Sequence, residues 1–250
     1  MKNKFTIIIP FCNAEKWIEK CLDSVLLQNS DDFSCVVADD CSTDRSFEIC
    51  ESVVGSDSRF KLVKNPKNLG ALENIYNSTL FHNPNKSRES IVVHLDGDDW
   101  LHNADVLSIL DQHYQSEDCW MTYGSYVNHS DGLRGEYSRA LPAEVIKARD
   151  YRSYRWSTSH LRSYRLGLFR QIKKKDLVNW LGKFYRIATD HALMFPMLEM
   201  SGDRAKFIED VLYVYNDLND LNIHKSKRRT QGRLARKFRR KRRYDLSSEL

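Results

Sequence analysis

The chain opens with an apolar run at residues 5–9, and three more follow at 34–38, 60–63 and 91–95. Their shortness and their Ile and Val content predict strands buried on both faces, as in a parallel sheet covered by helices. Between the first two runs, Trp17, Ile18, Cys21, Leu22, Val25 and Leu26 recur at helical spacing. That predicts one βαβ unit, with Asn13 as N-cap of its helix. Further helices are expected over 43–54, 70–80 and 104–114, a strand over 120–127 and a loop over 128–143. Residues 151–170, rich in Arg and Tyr, suit a surface that meets a polar ligand. A long amphipathic helix is expected over 189–200 and a strand over 211–215. This is an α/β pattern, and in such sheets ligands bind beyond the carboxyl ends of the strands.

Composition narrows the class. With 250 residues, 41% apolar and 11% aromatic, the chain is neither disordered nor fibrous and can bury a real core. No apolar run approaches the ~20 residues that cross a bilayer. Lys2 and Lys4 precede too few apolar residues for a signal peptide. Six cysteines without a CxxC pair suggest reduced, mostly buried thiols in a cytosolic compartment. The net charge of +5 conceals a division: of 39 basic and 34 acidic residues, 12 and 2 fall in 225–250, leaving 27 and 32 for the rest. A body of −5 thus carries a tail of +10.

Three predicted strands end in polar clusters, Pro10-Phe11-Cys12-Asn13, Asp39-Asp40-Cys41-Ser42-Thr43-Asp44 and Asp96-Gly97-Asp98-Asp99. Carboxylates spaced D-x-D-D can ligate Mg²⁺ or Mn²⁺, hard ions that take one or two carboxylates plus substrate phosphates. The competing reading is a turn before the next helix, since Asp and Gly are ordinary turn residues. Neither GxGxxG nor GxxxxGK[ST] follows the first strand, so phosphate must be held in another way.

Taken together these segments resemble the inverting glycosyltransferases of family 2, which have the GT-A fold. Ile7-Ile8-Ile9-Pro10-Phe11-Cys12-Asn13 is similar to the family's first strand and nucleoside-binding loop. Val37 to Asp44 is similar to its V-D-D-x-S-x-D segment, Asn65, Asn68, Gly70 and Asn74 to its N-x-x-N-x-G-x-x-x-N stretch, and Leu95 to Asp99 to its L-D-x-D-D metal (DXD) motif. The resemblance implies a GT-A, Rossmann-like, mixed but mostly parallel sheet with helices on both faces. Residues 1–224 would form one domain, with a nucleotide-sugar half (1–127), an acceptor half (128–224) and the basic tail (225–250) outside it. It implies nucleotide-sugar contacts from Pro10, Phe11, Asn13, Asp40 (to the base), Asn68, Gly70, Asn74, Asp96 (to ribose or sugar), Gly97 and Asp98. Asp98 would hold Mn²⁺ or Mg²⁺, with Asp99 in support and His224 as a further ligand. His224 reads equally as a loop histidine.

In the second half, Thr189-Asp190-His191 stands where the family has an acidic pair, often Glu-Asp, beneath the acceptor. Asp190 is then the base that takes the acceptor proton; helix capping is the competing reading, and His191 an alternative base. Trp156, His160 and His191 fall where the family lines its acceptor pocket, although packing suffices to explain any single Trp. The implied reaction is metal-assisted transfer from a UDP-sugar to a glycan or lipid-linked hydroxyl, as in polysaccharide biosynthesis. Competing classes are a sugar nucleotidyltransferase and a nucleic-acid binder using the tail; the −5 body argues against the second, and no nucleic acid is expected as a partner.

The tail from 225 to 243 lacks any acidic residue and is expected to be too polar all round to pack tightly on the body. It needs an anionic neighbour, and lipid headgroups at the inner face of a membrane would supply one. A solvated extension, or a helix lying on the acidic body, would serve as well.

Overall fold

Strand β1 (Phe5–Phe11) is buried along its whole length. Its period-2 alternation explains why every residue can be apolar: Ile7 and Ile9 face one core, while Ile8 faces the other. The same division holds for Val37 against Val36 in β2 (Phe33–Asp39), and for Val93 against Val92 in β4 (Ile91–His94). Against the first face pack α1 (Ile18–Leu26), α2 (Ser46–Val54) and α4 (Val106–Ser116). Against the second pack α3 (Ala71–Asn77), continued by a π-helical turn over Ser78–His82, and α8 (Thr189–Ser201). The structure, a computed structural model, describes residues 4–116, 118–221 and 228–250.

Among the described residues, eight strands form one sheet in the order β3-β2-β1-β4-β7-β6-β8-β5. The expected mixed, mostly parallel sheet between helices is present. Strands β1, β2, β3 (Phe60–Lys64) and β4 are mutually parallel. Strand β7 (Arg162–Arg165) then enters antiparallel between β4 and β6 (Met121–Asn128), which itself runs parallel to β8 (Ala205–Tyr215). The two-residue β5 (Trp100–Leu101) closes the edge against β8. Because β7 runs backwards, its first residue, Arg162, pairs with the last residue of β4, His94. An arginine is thereby delivered to the carboxyl end of the sheet. Short helices α5 (Ala143–Ala148), α6 (Leu166–Arg170) and α7 (Lys174–Leu177) connect the second half.

Several expectations are corrected. Asn13 does not cap α1: its backbone is left-handed (φ 55°) and its side-chain oxygen accepts from the Thr43 N–H at 2.8 Å, tying the β1 loop to the β2 loop. Residues 151–170 are largely interior, with Tyr151, Arg152, Arg162 and Tyr164 all buried. Helix α8 is not amphipathic, since Ala192 to Ser201 are buried on every side.

The tail accounts for the burial of α8, and the structure overturns the expectation that it is too polar to pack tightly; of the readings offered, it matches the helix lying on the acidic body. Helix α9 (Arg228–Arg239) crosses α8 and inserts Phe238, 1% exposed, with Leu234 one turn before it. Two residues at i,i+4 suffice as an apolar stripe because buried polar bonds complete the seam. Arg152 forms a bidentate ion pair with Glu199 of α8 (2.5 and 2.8 Å) and donates to the Phe238 carbonyl. Arg239 donates to the carbonyls of Arg152 and Tyr154. The chain then returns along α8, where the Tyr244 N–H donates to Glu199 (2.9 Å) and the Ser247 N–H to the Met200 carbonyl (3.0 Å). The acidic neighbour that the basic segment needs is, in part, Glu199 of its own body.

Candidate active site

Loops after β1, β2 and β4 meet at the carboxyl edge of the sheet. Gly97 makes that meeting possible: a Cβ there would lie 2.5 Å from Cβ of Phe11, so any other residue would drive the Asp96–Asp99 turn away from β1. Its N–H donates to the Pro10 carbonyl at 3.2 Å.

Asp40 closes the adjoining loop. Its two carboxylate oxygens accept from the N–H groups of Leu69 and Gly70, each at 2.7 Å, and Asn65 donates to it at 3.3 Å. Gly70 adopts φ +88°, a conformation that suits glycine. Asn74, expected to contact the nucleotide, is instead an internal brace: its amide donates to the Ala38 carbonyl (2.8 Å) and its oxygen accepts from Asn65 (3.1 Å). Asn68 remains at the rim, donating to the Asp40 carbonyl and receiving Arg186 at 2.7 Å. Asp39 contributes a buried oxygen, Oδ2, without a partner among the described residues.

The three carboxylates after β4 have distinct surroundings. Asp99 is buried and committed, its Oδ2 accepting from the Tyr213 hydroxyl (2.5 Å) and its Oδ1 from the Asn216 N–H (2.7 Å). Asp98 is partly open and accepts from Asn219 at 2.7 Å. Asp96 faces Arg162, whose Nη2 lies 3.4 Å away while its Nη1 donates to Asp190 at 2.7 Å. One guanidinium thus joins the acid cluster of β4 to the first turn of α8. Sequence reasoning missed Arg162; a polar R-S-Y-R strand flanked by buried residues carries no linear signal of which arginine turns inward.

Ionisation follows from these contacts. Burial pushes the Asp96 carboxyl up to about 6; Arg162 opposes this, and Asp98 and Asp190 reinforce it. Asp98 and Asp99 are also raised, by burial first. For Asp190 the surrounding protein likewise pushes upward, but Arg162, His160 and His191 outweigh it and hold the group at about 2. His160 and His191 are driven down by burial to about 3 and about 4, so both rings are neutral near pH 7.

Crowded carboxylates raised by burial and mutual repulsion, with only Arg162 opposite Asp96 among the described residues, are a donor set that fits a divalent cation. Asp96, Asp99 and His160 each offer a ligand atom within 4.8 Å of one another. This grouping differs from the expected pair of Asp98 and Asp99. His160 suits it poorly: its Nδ1 lies 3.2 Å from Nη2 of Arg162, which can only donate, so a neutral ring carries its proton on Nε2. His224 lies outside the described residues.

Among the residues expected to line an acceptor pocket, Trp156 stacks on His191 (centroids 4.1 Å, 19°) and meets Phe195 edge-on, which commits one indole face to packing. His160 is sandwiched against Tyr213 at 4.4 Å and is buried, a floor to the site more than a wall.

The sequence profile of glycosyl transferase family 2 matches residues 6–176, more than half the chain. The chain belongs to glycosyl transferase family 2. Its relatives include the uncharacterized glycosyltransferase EpsJ of Bacillus subtilis, 23% identical over 216 residues, a match that covers 85% of this chain and 60% of EpsJ. Among solved structures, residues 1–349 of TarS from S. aureus, in complex with UDP-GlcNAc, superpose with a TM-score of 0.62 at 19% identity. That match covers 90% of this chain and 61% of TarS 1–349. A mannosyltransferase from Pyrobaculum calidifontis, in complex with GDP-Man and Mn²⁺, gives 0.65 at 18% identity over 98% of this chain and 66% of the other. The GT-A fold is therefore established for this family 2 chain, which spans about three-fifths of EpsJ and of TarS 1–349. No helix among the described residues is long and apolar enough to cross a membrane.

Proposed function

We propose that this family 2 chain transfers a sugar from a nucleoside-diphosphate sugar, a UDP-sugar in the first instance, to a hydroxyl of a glycan or lipid-linked acceptor, with inversion at the anomeric carbon. The observation that carries the reading is the Arg162 bridge, which joins Asp96 on the donor side to Asp190 at the head of α8. That bridge keeps Asp190 ionised at neutral pH and occupies its Oδ1, so the other carboxylate oxygen is the one that would receive a proton. In the reaction the acceptor O–H proton passes to Asp190 while the acceptor oxygen bonds to the anomeric carbon. The bond from that carbon to the diphosphate oxygen breaks on the opposite face, releasing a nucleoside diphosphate. Asp98 would hold Mn²⁺ or Mg²⁺, with Asp99 and the neighbouring Asp96 in support, and that cation would neutralise charge on the departing diphosphate. Pro10, Phe11, Asn13, Asn68 and Gly70 shape the nucleoside side, with Asp40 fixing their loop. Support for a nucleotide-sugar donor comes also from the complexes of TarS with UDP-GlcNAc and of the Pyrobaculum enzyme with GDP-Man.

A thermal-shift screen of UDP- and GDP-sugars with and without Mn²⁺ tests this directly. Metal-dependent stabilisation by one donor, and nucleoside diphosphate release on adding acceptor, are expected. Pyrophosphate release instead would identify a nucleotidyltransferase.

A further inference from the structure

Arg233, Arg236, Lys237 and Arg240 are exposed on one face of α9 and the turn after it and, with Lys241, whose ammonium reaches Asp176, border about 450 Å³ of open space. Their spacing of i, i+3, i+4, i+7 and i+8 makes this a stripe along one helical face, suited to an extended anionic partner rather than a small molecule. Arg233, Arg236 and Arg240 have no carboxylate partner among the described residues. A second observation lies beside the stripe. Val178 and Phe184 close a turn whose tip carries Trp180, 87% exposed, and Leu181, 57% exposed. Lys173, Lys174, Lys175 and Lys183, all exposed, flank it.

The two features are built on each other. Tyr185, at the base of the turn, packs edge-on against Phe238 of α9 at 4.9 Å. Lys237 and Lys241 of the stripe reach over the Tyr185 ring at 5.1 and 5.4 Å. Tyr244 and Lys241 occupy Asp176, so the main carboxylate between stripe and turn is neutralised within the protein. We propose that the Trp180–Leu181 turn and the basic face of α9 form a single docking surface for an anionic lipid bilayer, the indole entering the interface while the cations meet headgroup phosphates. An indole at the rim of a cationic field is the combination that a bilayer interface rewards, because the ring sits at headgroup depth while Lys and Arg stay wet. A soluble polyphosphate would use the stripe but has no use for an exposed Trp and Leu, and a nucleic acid, whose bases could stack on the indole, is disfavoured by the acidic body. His191 and Ala192, which follow the proposed base Asp190, line one small cavity with Phe238, Lys241 and Arg242, so docking would set the proposed acceptor side near the lipid surface.

The test is sedimentation of the full chain, without donor, with vesicles of phosphatidylcholine alone or with about one-third phosphatidylglycerol. The result expected is binding to the anionic vesicles only, abolished by about 0.5 M NaCl. Arg233→Glu/Arg236→Glu/Arg240→Glu should weaken it about tenfold or more. Trp180→Ser/Leu181→Ser should weaken it several-fold, and Trp180→Phe should retain it. The Ser pair stands in an exposed turn, so it decides the matter if the charge-reversed variant melts differently from wild type. No binding at low salt, equal binding to neutral vesicles, or indifference to the Ser pair would overturn the proposal, as would capture by soluble polyphosphate without capture by vesicles. None of these outcomes depends on catalysis, so they leave the glycosyltransferase reading to its own test.

Discussion

Arg162 sets the charge of two carboxylates that the proposed chemistry needs in different roles. It holds Asp190 low, and the same guanidinium partly offsets the burial of Asp96. Replacing Asp190 by Asn should lower transfer by about 10²- to 10⁴-fold while donor stabilisation in a thermal melt stays intact, because the base acts only on the acceptor. Arg162→Gln has a different signature. Without its cation the Asp190 carboxyl rises from about 2, so the acid limb of the kcat profile should move to higher pH, whereas a merely structural lesion would lower the rate without moving that limb. Gly97→Ala should abolish donor binding, since the added methyl meets Phe11 at 2.5 Å; a nucleotide-induced thermal shift equal to wild type would contradict this.

Strand β4 places a histidine where only a neutral one is tolerated. His94 is buried, shares a hydrogen bond with the Tyr164 hydroxyl at 2.5 Å, and is pushed down to about 3, by burial first and then by Arg162. The unfolded chain binds a proton at this residue near pH 6.5 and the folded chain does not until about 3. Stability should therefore fall as pH drops below 6.5, by up to about 1.4 kcal/mol per pH unit for each such histidine. Urea unfolding at pH 7 and pH 5 should show a smaller loss for His94→Gln than for wild type. The elements around β4 also show what could be read in advance. Strands β1, β2 and β4 were legible because both faces are covered, so their sequence is apolar throughout; the acidic turns after them were legible because several motifs recur in order. Strand β7 was not, because Arg162 and Ser163 are stabilised by Asp190, Tyr114 and Thr122, all distant in sequence. Helix α8 read as amphipathic because nothing local announces that α9 covers its outer side. Asp40 and Asn74 were recognised as motif positions, but only the hydrogen bonds distinguish loop brace from ligand contact.

At the scale of the whole molecule, residues 228–250 behave as part of the body. Phe238→Ala should cost about 3–5 kcal/mol, and Arg152→Ala a similar amount, because it leaves Glu199 buried without its partner. Chemical denaturation of both variants checks this; values near zero would restore the picture of a detachable tail. The docking of α9 has a physical consequence. A basic helix fixed to an acidic body separates charge permanently, so the folded chain carries an electric dipole of constant direction. In the field of a negatively charged surface it experiences a torque before any contact forms, and that torque weakens as salt shortens the Debye length. Orientation would then precede capture, and its rate would be the most salt-sensitive property of the protein.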